Sequence, residues 1–141
     1  MLLPIKAHYA AVAMLELALR YQEPIPVCLR DIADEHAIPL PFLTQILQQL
    51  RTANLVQSTR GAAGGYRLCR HPSRIHLAEI VQAVCPTATQ IASQTPTTRC
   101  HTSVAAAWEA IDELIRNKLT SIALSDLVDQ HNHSTDSMFY I

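Results

Sequence analysis

The chain has 141 residues, 49% of them hydrophobic and 16% charged, and a formal net charge of −1. That length fits one domain with a core and an extra helix or two, and the apolar content excludes an intrinsically disordered chain. No segment approaches the roughly 18 uninterrupted apolar residues of a membrane span. Lys6, His8 and Glu16 interrupt the N-terminal apolar stretch, so we predict a cytoplasmic protein without a signal peptide.

Charge is divided unevenly along the chain. Residues 1–75 hold eight Lys and Arg against five Asp and Glu, whereas residues 76–141 hold three against seven. A basic half favours a polyanionic partner such as nucleic acid. Because the excess is small, we expect two copies to be needed for useful affinity at cellular salt.

The first part of the chain shows the spacing of apolar residues that is typical of helices. A first helix is predicted over residues 6–21, and Pro24 and Pro26 end it. Val27 and Cys28 are expected to pair as a short strand with a later hairpin. A short second helix follows over residues 29–35, and residues 37–39 form the turn after it.

A third helix is predicted over residues 40–51, with Pro41 in its first turn, where a missing N–H costs little. The polar residues of its outer face are Thr44, Gln45, Gln48 and Gln49, with Arg51 near its end. An ordinary solvated face usually carries Lys and Glu, whereas Gln can pair bidentately with adenine in the major groove. This pattern therefore favours a helix that reads base edges.

All three glycines of the chain, Gly61, Gly64 and Gly65, fall within five residues. They need unusual backbone angles or close backbone approach at that place. The flanking residues 55–59 and 66–69 alternate apolar and polar side chains, which predicts a β-hairpin with Arg60 at its tip and Arg67 on its second strand. A helix followed at once by a basic, glycine-tipped hairpin is typical of a winged helix-turn-helix.

Two other interpretations of the glycine-rich segment are less favoured. A phosphate-binding nucleotide loop needs Lys-Ser/Thr at the start of a helix, whereas these glycines lead into a strand. A purely structural turn with surface arginines is the other alternative. Enzyme activity has little support, because no catalytic arrangement of Ser, His, Asp or Glu has a motif around it, and we predict that the protein is not an enzyme.

The second half is predicted to contain a short helix over residues 76–84, a loop over residues 85–102 bounded by cysteines, and a long helix over residues 103–121. A final short helix covers residues 124–128, and residues 131–141 form a frayed tail. One apolar stripe on the long helix suits a subunit interface better than packing within the chain. Its residues are Val104, Trp108, Ile111, Ile115 and Leu119.

The predicted fold is mainly α with a small β-hairpin, a winged helix-turn-helix followed by a long C-terminal dimerisation helix. We divide the chain into a DNA-binding domain (residues 1–84), a cysteine-bounded sensing loop (85–102), dimerisation helices (103–130) and a tail (131–141).

Roughly residues 1–130 resemble the Rrf-two family of bacterial winged-helix transcriptional regulators. The most specific part of the resemblance is the string Leu47-x-x-Leu50-Arg51-x-x-x-Leu55-Val56-x-Ser58-x-Arg60-Gly61-x-x-Gly64-Gly65-Tyr66. The opening Lys6-x-x-Tyr9-Ala10 and the ending Trp108…Ile122-x-Leu124-x-x-Leu127-Val128 match as well.

The resemblance implies a homodimeric regulator, which we predict to be a repressor, that places its recognition helices and wings on a palindromic operator in double-stranded DNA. Thr44, Gln45 and Gln48 are then expected to reach base edges. Arg51, Arg60 and Arg67 would hold phosphates or enter the minor groove, and the glycines would shape the wing. The alternative is a winged-helix module that binds another protein and no DNA.

The resemblance also raises the question of an iron–sulfur cluster. Cluster-binding relatives carry three closely spaced cysteines before the long helix, but here only Cys85 and Cys100 lie in that region. Counted back from Trp108, the family's last cysteine falls at Thr102 and a histidine ligand of one member at Ala105, so the standard site is absent.

Three interpretations of Cys85 and Cys100 remain open. They ligate a cluster together with His101 and the partner's His8, since mixed Cys/His ligation is known chemistry. They form a reversible disulfide, which requires Cα atoms within about 7 Å. Or they have neither role, and the regulator answers to another signal.

Overall fold

The computed structural model of the chain describes residues 3–62, 64–86 and 96–139. Its elements, in chain order, are α1 (Ile5–Leu19), α2 (Leu29–His36), α3 (Leu40–Thr52), β1 (Val56–Thr59), β2 (Gly65–Leu68), a 3-10 turn (Pro72–Arg74), α4 (Leu77–Val84), α5 (Arg99–Ser121) and α6 (Leu124–Phe139). The predicted fold class, mainly helical with one hairpin and a long C-terminal helix, is confirmed.

The core forms where α1, α3 and α4 pack together and the hairpin closes one side. Alanines of α1 (Ala10 and Ala13) are fully buried, so the larger side chains of α3 and α4 approach the α1 backbone closely. The largest fully buried side chains include Met14, Leu17, Ile32, Leu43, Ile46, Leu47, Leu50, Leu55, Ile75, Ile80 and Leu124. Burial of these apolar groups is the main favourable term that holds the helices together.

The hairpin strands are antiparallel, with Val56 opposite Leu68 and Thr59 opposite Gly65. On the outer edge of β2, Val27 donates to the Tyr66 carbonyl (3.0 Å) and accepts from the Tyr66 N–H (2.8 Å). The expected strand pairing at Val27 is therefore confirmed. A second bridge joins His76, just before α4, to Ala123, between α5 and α6.

The long helix α5 begins at Arg99, four residues before the predicted start at Ser103. Thr98 caps it, because its hydroxyl oxygen accepts the His101 N–H at 3.3 Å. Cys100 and His101 therefore lie in the first turn of a helix and not in the loop predicted over residues 85–102.

The last helix α6 is also longer than predicted. It runs from Leu124 to Phe139, past the predicted end at Val128 and through most of the region predicted as a frayed tail. The Asp126 carboxylate accepts the Ala123 N–H at 2.9 Å at its start, and no Gly or Pro interrupts the segment. Among the helices of the described ranges, none has the length and apolar character needed to span a membrane.

Candidate nucleic-acid interface

The helix-turn-helix places one polar face of α3 at the surface. Leu43, Ile46, Leu47 and Leu50 anchor the opposite face in the core with no exposed area. The turn before α3 contains Ala37 in the left-handed region (φ 52°), and Ile38 donates to the Ala33 carbonyl at 3.0 Å.

The residues predicted to contact bases differ in how far they are exposed on this face. Gln45 and Gln48 are exposed, as is Arg51 in the last turn. Thr44 is half-buried, and its hydroxyl donates to the Leu40 carbonyl at 2.8 Å. Its hydroxyl hydrogen is therefore used within the helix, which leaves an acceptor oxygen and a methyl group for a partner.

Gln49 does not belong to the exposed face on which the sequence pattern put it. It is half-buried, and its side-chain oxygen is buried without a hydrogen-bond partner. The helical spacing places Gln49 one turn from Gln45 but does not reveal where neighbouring helices cover α3. The exposed amides on this helix are therefore Gln45 and Gln48.

The wing carries Arg60, which is exposed at the tip of the hairpin. Gly61 has φ 110°, a conformation that other residues rarely adopt. A Cβ on Gly64 would overlap the Thr59 carbonyl oxygen, and a Cβ on Gly65 would overlap the Val27 carbonyl. The expectation of unusual angles or close approach thus holds at all three glycines, which let the hairpin turn tightly and lie against the strand at Val27.

Arg67 is tied to the protein, since its guanidinium donates to the Pro24 carbonyl in the connection between α1 and α2. The side chain is half-buried. This contact fixes β2 to the body of the domain and uses one of the five guanidinium donors. The sequence indicated a phosphate contact for Arg67 and gave no signal of this anchoring role.

A polar cluster fixes the end of the wing to α4. Arg70 donates to the Glu79 carboxylate at 2.9 Å and to the Arg74 carbonyl at 3.0 Å, and the same carboxylate accepts the His76 N–H at 3.0 Å. Partial burial raises the pKa of the Glu79 carboxyl, but the His76 hydrogen bond and the Arg70 guanidinium outweigh it, so the net shift is downward. Glu79 is therefore held as a carboxylate.

Arg30 is an exposed cation beside the helix-turn-helix that the predicted interface does not include. It is exposed in the first turn of α2, the helix that precedes the predicted recognition helix. The signal was available, because the inward positions of α2, Ile32 and Ala33, leave Arg30 on the outer side.

The stripe predicted as a subunit interface lies largely open. No residue of α5 is buried, and Val104 and Trp108 are each 51% exposed. Ile115 and Leu119 are half-buried, because α5 leans on α4 along that edge. A groove of about 430 Å³ remains between α4, α5 and the residues just before α1, and Trp108 and Cys85 line it. Leu114, which the stripe did not include, is 70% exposed.

The candidate sensing residues do not form a metal-ligand group in this chain. Cys85 is half-buried at the end of α4, Cys100 and His101 are exposed in the first turn of α5, and His8 is exposed on α1. In the described ranges, neither cysteine has two further Cys, His, Asp or Glu ligands within 4.8 Å. Residues 87–95, outside those ranges, contain none of these residue types. Within one chain, the two thiolates and one imidazole are fewer than the four ligands of a typical cluster, so the predicted mixed ligation would also need the partner's His8.

Comparison with known proteins agrees with this geometry. The sequence profile of the Rrf2 family, described as "Iron-dependent Transcriptional regulator", matches residues 3–130. The HTH-type transcriptional regulator IscR of Xenorhabdus nematophila is 40% identical over 128 residues, which cover 87% of this chain and 76% of the relative. IscR of Photorhabdus laumondii is 38% identical, with 88% and 77% covered.

Two solved structures extend the similarity to three dimensions. IscR of T. potens has a TM-score of 0.77 at 33% identity, covering 95% of this chain and 90% of that one. CymR, described as the global cysteine regulator of B. subtilis, has a TM-score of 0.75 at 28% identity, covering 92% and 98%. The chain belongs to the Rrf2 family and is a DNA-binding winged-helix transcriptional regulator.

Proposed function

We propose that the protein acts in the cytoplasm as a homodimeric repressor that binds a palindromic operator. The observation that carries this proposal is the exposed, uncharged polar face of α3 beside a wing with an exposed Arg60 at its tip. The side-chain amides of Gln45 and Gln48, and the hydroxyl oxygen and methyl group of Thr44, are suited to contacts with base edges. Arg30, Arg51 and Arg60 are suited to phosphates, and Arg67 holds the wing in place through the Pro24 carbonyl.

Binding to fragments of the promoter region upstream of its own gene tests the proposal. Gln48→Ala should relax the preference at one base pair, whereas Arg60→Ala should weaken binding to all sequences and reduce the slope of log K against log salt by about one. Glu113→Gln, on the exposed surface of α5, is the matched control and should change neither property. Binding that is insensitive to salt would favour the protein-interaction alternative, because duplex DNA binding weakens steeply as salt rises.

The dimer is proposed to form through α5. An apolar stripe that the described residues cover only partly, at Ile115 and Leu119, is expected to lie against a second copy. A symmetric pair would set the two recognition helices about 34 Å apart, one turn of DNA.

We propose that the regulator senses oxidants through reversible oxidation of the Cys85 and Cys100 thiols, in place of the family's three-cysteine cluster. Both are free thiols, Cys85 directly after α4 and Cys100 in the first turn of α5, and these two helices contact each other. A change in either thiol could therefore shift α5 relative to the predicted DNA-binding domain (residues 1–84; the reading domain). Oxidant should then alter DNA affinity in the native protein and not in Cys85→Ala. Brown protein after anaerobic purification, with absorbance that Cys85→Ala abolishes, would contradict the thiol proposal and support a cluster.

A further inference from the structure

Four charged or titratable side chains meet where α1 packs on α2. Glu16 lies on α1 and Arg20 directly after it, and Glu35 and His36 lie in the last turn of α2. Arg20 lies 2.9 Å from Glu16 Oε1 and 3.7 Å from Glu35 Oε2, and His36 Nε2 lies 3.2 Å from Glu16 Oε2. This cluster is separate from the polar face of α3 and from the two candidate sensing cysteines.

Glu16 is the unusual member, because it is a carboxylate with only 8% of its surface exposed. A buried carboxylate is costly unless positive charge or hydrogen-bond donors offset its loss of hydration. Glu35, with 56% of its side chain exposed, opens the cluster to solvent on one side. The cluster thus combines a buried anionic ligand with an entry path.

Three of these side chains can each direct one ligand atom to a common point. The carboxylate oxygens of Glu16 and Glu35 and a ring nitrogen of His36 all lie within 4.8 Å of one another. Ligands of one transition-metal ion lie about 2.0–2.2 Å from it, so a modest inward movement of the exposed Glu35 closes the set. One imidazole with two carboxylates suits Mn²⁺, Fe²⁺ or Zn²⁺.

We propose that Glu16, Glu35 and His36 form a mononuclear site for a divalent transition-metal ion, with water at the remaining positions. Arg20 supplies a single positive charge to the two carboxylates while the ion is absent. Its side chain is 34% exposed and can move into solvent when the ion enters. Arginine and metal therefore compete for the same carboxylates.

Metal binding at this place ties α1 to α2, the first helix of the helix-turn-helix. The ion bridges ligands twenty residues apart in sequence, as Glu16 and His36 are. It binds only the folded arrangement of these ligands, so it stabilises the native state by mass action.

Titration of the reduced protein with Mn²⁺, followed by electron paramagnetic resonance, tests the site. Mn²⁺ prefers oxygen ligands to thiolates, so the four free thiols of the chain compete less for it than they would for Zn²⁺. Glu35→Gln should weaken Mn²⁺ binding by about tenfold or more, comparable to or greater than the loss of an outer-shell partner. Because Glu35 is exposed, this variant should fold. Glu113→Gln, which removes a surface carboxylate from α5, should leave Mn²⁺ affinity unchanged.

The variant Arg20→Gln distinguishes between two roles of the cluster, a metal site and a set of structural ion pairs. Removal of the competing cation should tighten Mn²⁺ binding, and the melting temperature of this variant should rise more steeply with Mn²⁺ than that of the native protein. Circular dichroism establishes that each variant is folded. Mn²⁺ affinity that is equal in the native protein and Glu35→Gln, or that does not increase in Arg20→Gln, would overturn the proposal and leave the cluster as ion pairs only.

Discussion

The reading domain and the long helix α5 use apolar residues in opposite ways. In the reading domain, α3 alone buries four large apolar side chains completely. In α5, 23 residues contain no buried side chain, and an apolar stripe faces outward. The reading domain is therefore stabilised by burial within its own chain, whereas the exposed apolar stripe of α5 fits the proposed dimer, in which a second copy would cover it.

The largest effect expected from this comparison is in the core. Leu47→Ala removes a side chain with no exposed area and should lower the free energy of unfolding by about 3 kcal/mol, from lost burial and the cavity left behind. Urea denaturation measures it. The adjacent Gln48→Ala, on the exposed face, should change stability by less than about 0.5 kcal/mol. Similar losses for the two variants would contradict the assignment of the two faces of α3.

The next effect concerns α5. Trp108→Ala should raise the dimer dissociation constant about 30-fold, or about 2 kcal/mol, because Trp108 is the largest apolar side chain of the stripe. Analytical ultracentrifugation at several concentrations measures the shift. Leu114→Ala is the control for Trp108→Ala and should have a smaller effect, since Leu114 is exposed but lies beside the stripe. An equal effect at Leu114 would show that the interface is centred elsewhere on α5, and a native protein that is monomeric at micromolar concentration would refute the dimer.

A smaller effect, of opposite sign, is expected at the turn of the helix-turn-helix. Ala37 has φ 52°, which costs a residue with a Cβ on the order of 1 kcal/mol. Ala37→Gly should therefore stabilise the reading domain by about 0.5–1 kcal/mol in thermal or urea unfolding. Ala106→Gly, within α5, should destabilise its helix by about 1 kcal/mol. If both substitutions destabilise, the left-handed turn at residue 37 is not strained.

The smallest effect is pH-dependent and concerns Glu79 on α4, the helix of the reading domain that contacts α5. The pKa of Glu79 is lowered in the folded protein, so its contribution to stability is present above the ordinary carboxyl value of 4.5 and is lost as pH falls through the lower folded value. Glu79→Gln should cost less than about 1 kcal/mol at pH 7, because the pair is well exposed. Its stability curve below pH 4.5 should be flatter than that of the native protein, and parallel curves would exclude this role.

The fold was largely predictable because its signals are local. Pro41, the three glycines and the spacing of Leu43, Ile46, Leu47 and Leu50 each restrict the backbone or one helix face without reference to distant residues. The helix ends at Arg99 and Phe139 were placed wrongly, because they depend on a threonine cap and on a polar segment that merely lacks helix breakers.

The candidate interface was predictable only in part. The exposure of Gln48 follows from helical spacing, but the burial of the Gln49 oxygen depends on neighbouring elements that sequence spacing does not place. The same holds for Arg67, whose carbonyl partner at Pro24 is 43 residues away in sequence, and for the meeting of Glu16 with His36. Side chains that contact across elements leave no periodic signal in the sequence.

The bridge between His76 and Ala123 joins the start of α4 to the connection between α5 and α6, which is far from it in sequence. Leu77 donates to the Ile122 carbonyl at 3.0 Å, Leu124 donates to the Ile75 carbonyl at 2.7 Å, and Leu124 itself is fully buried. The connection between α5 and α6 is thus fixed to the same core that supports α3. A dimer held by α5 would therefore lose its partner and its fold in one cooperative transition, with a melting temperature that rises as the protein is concentrated.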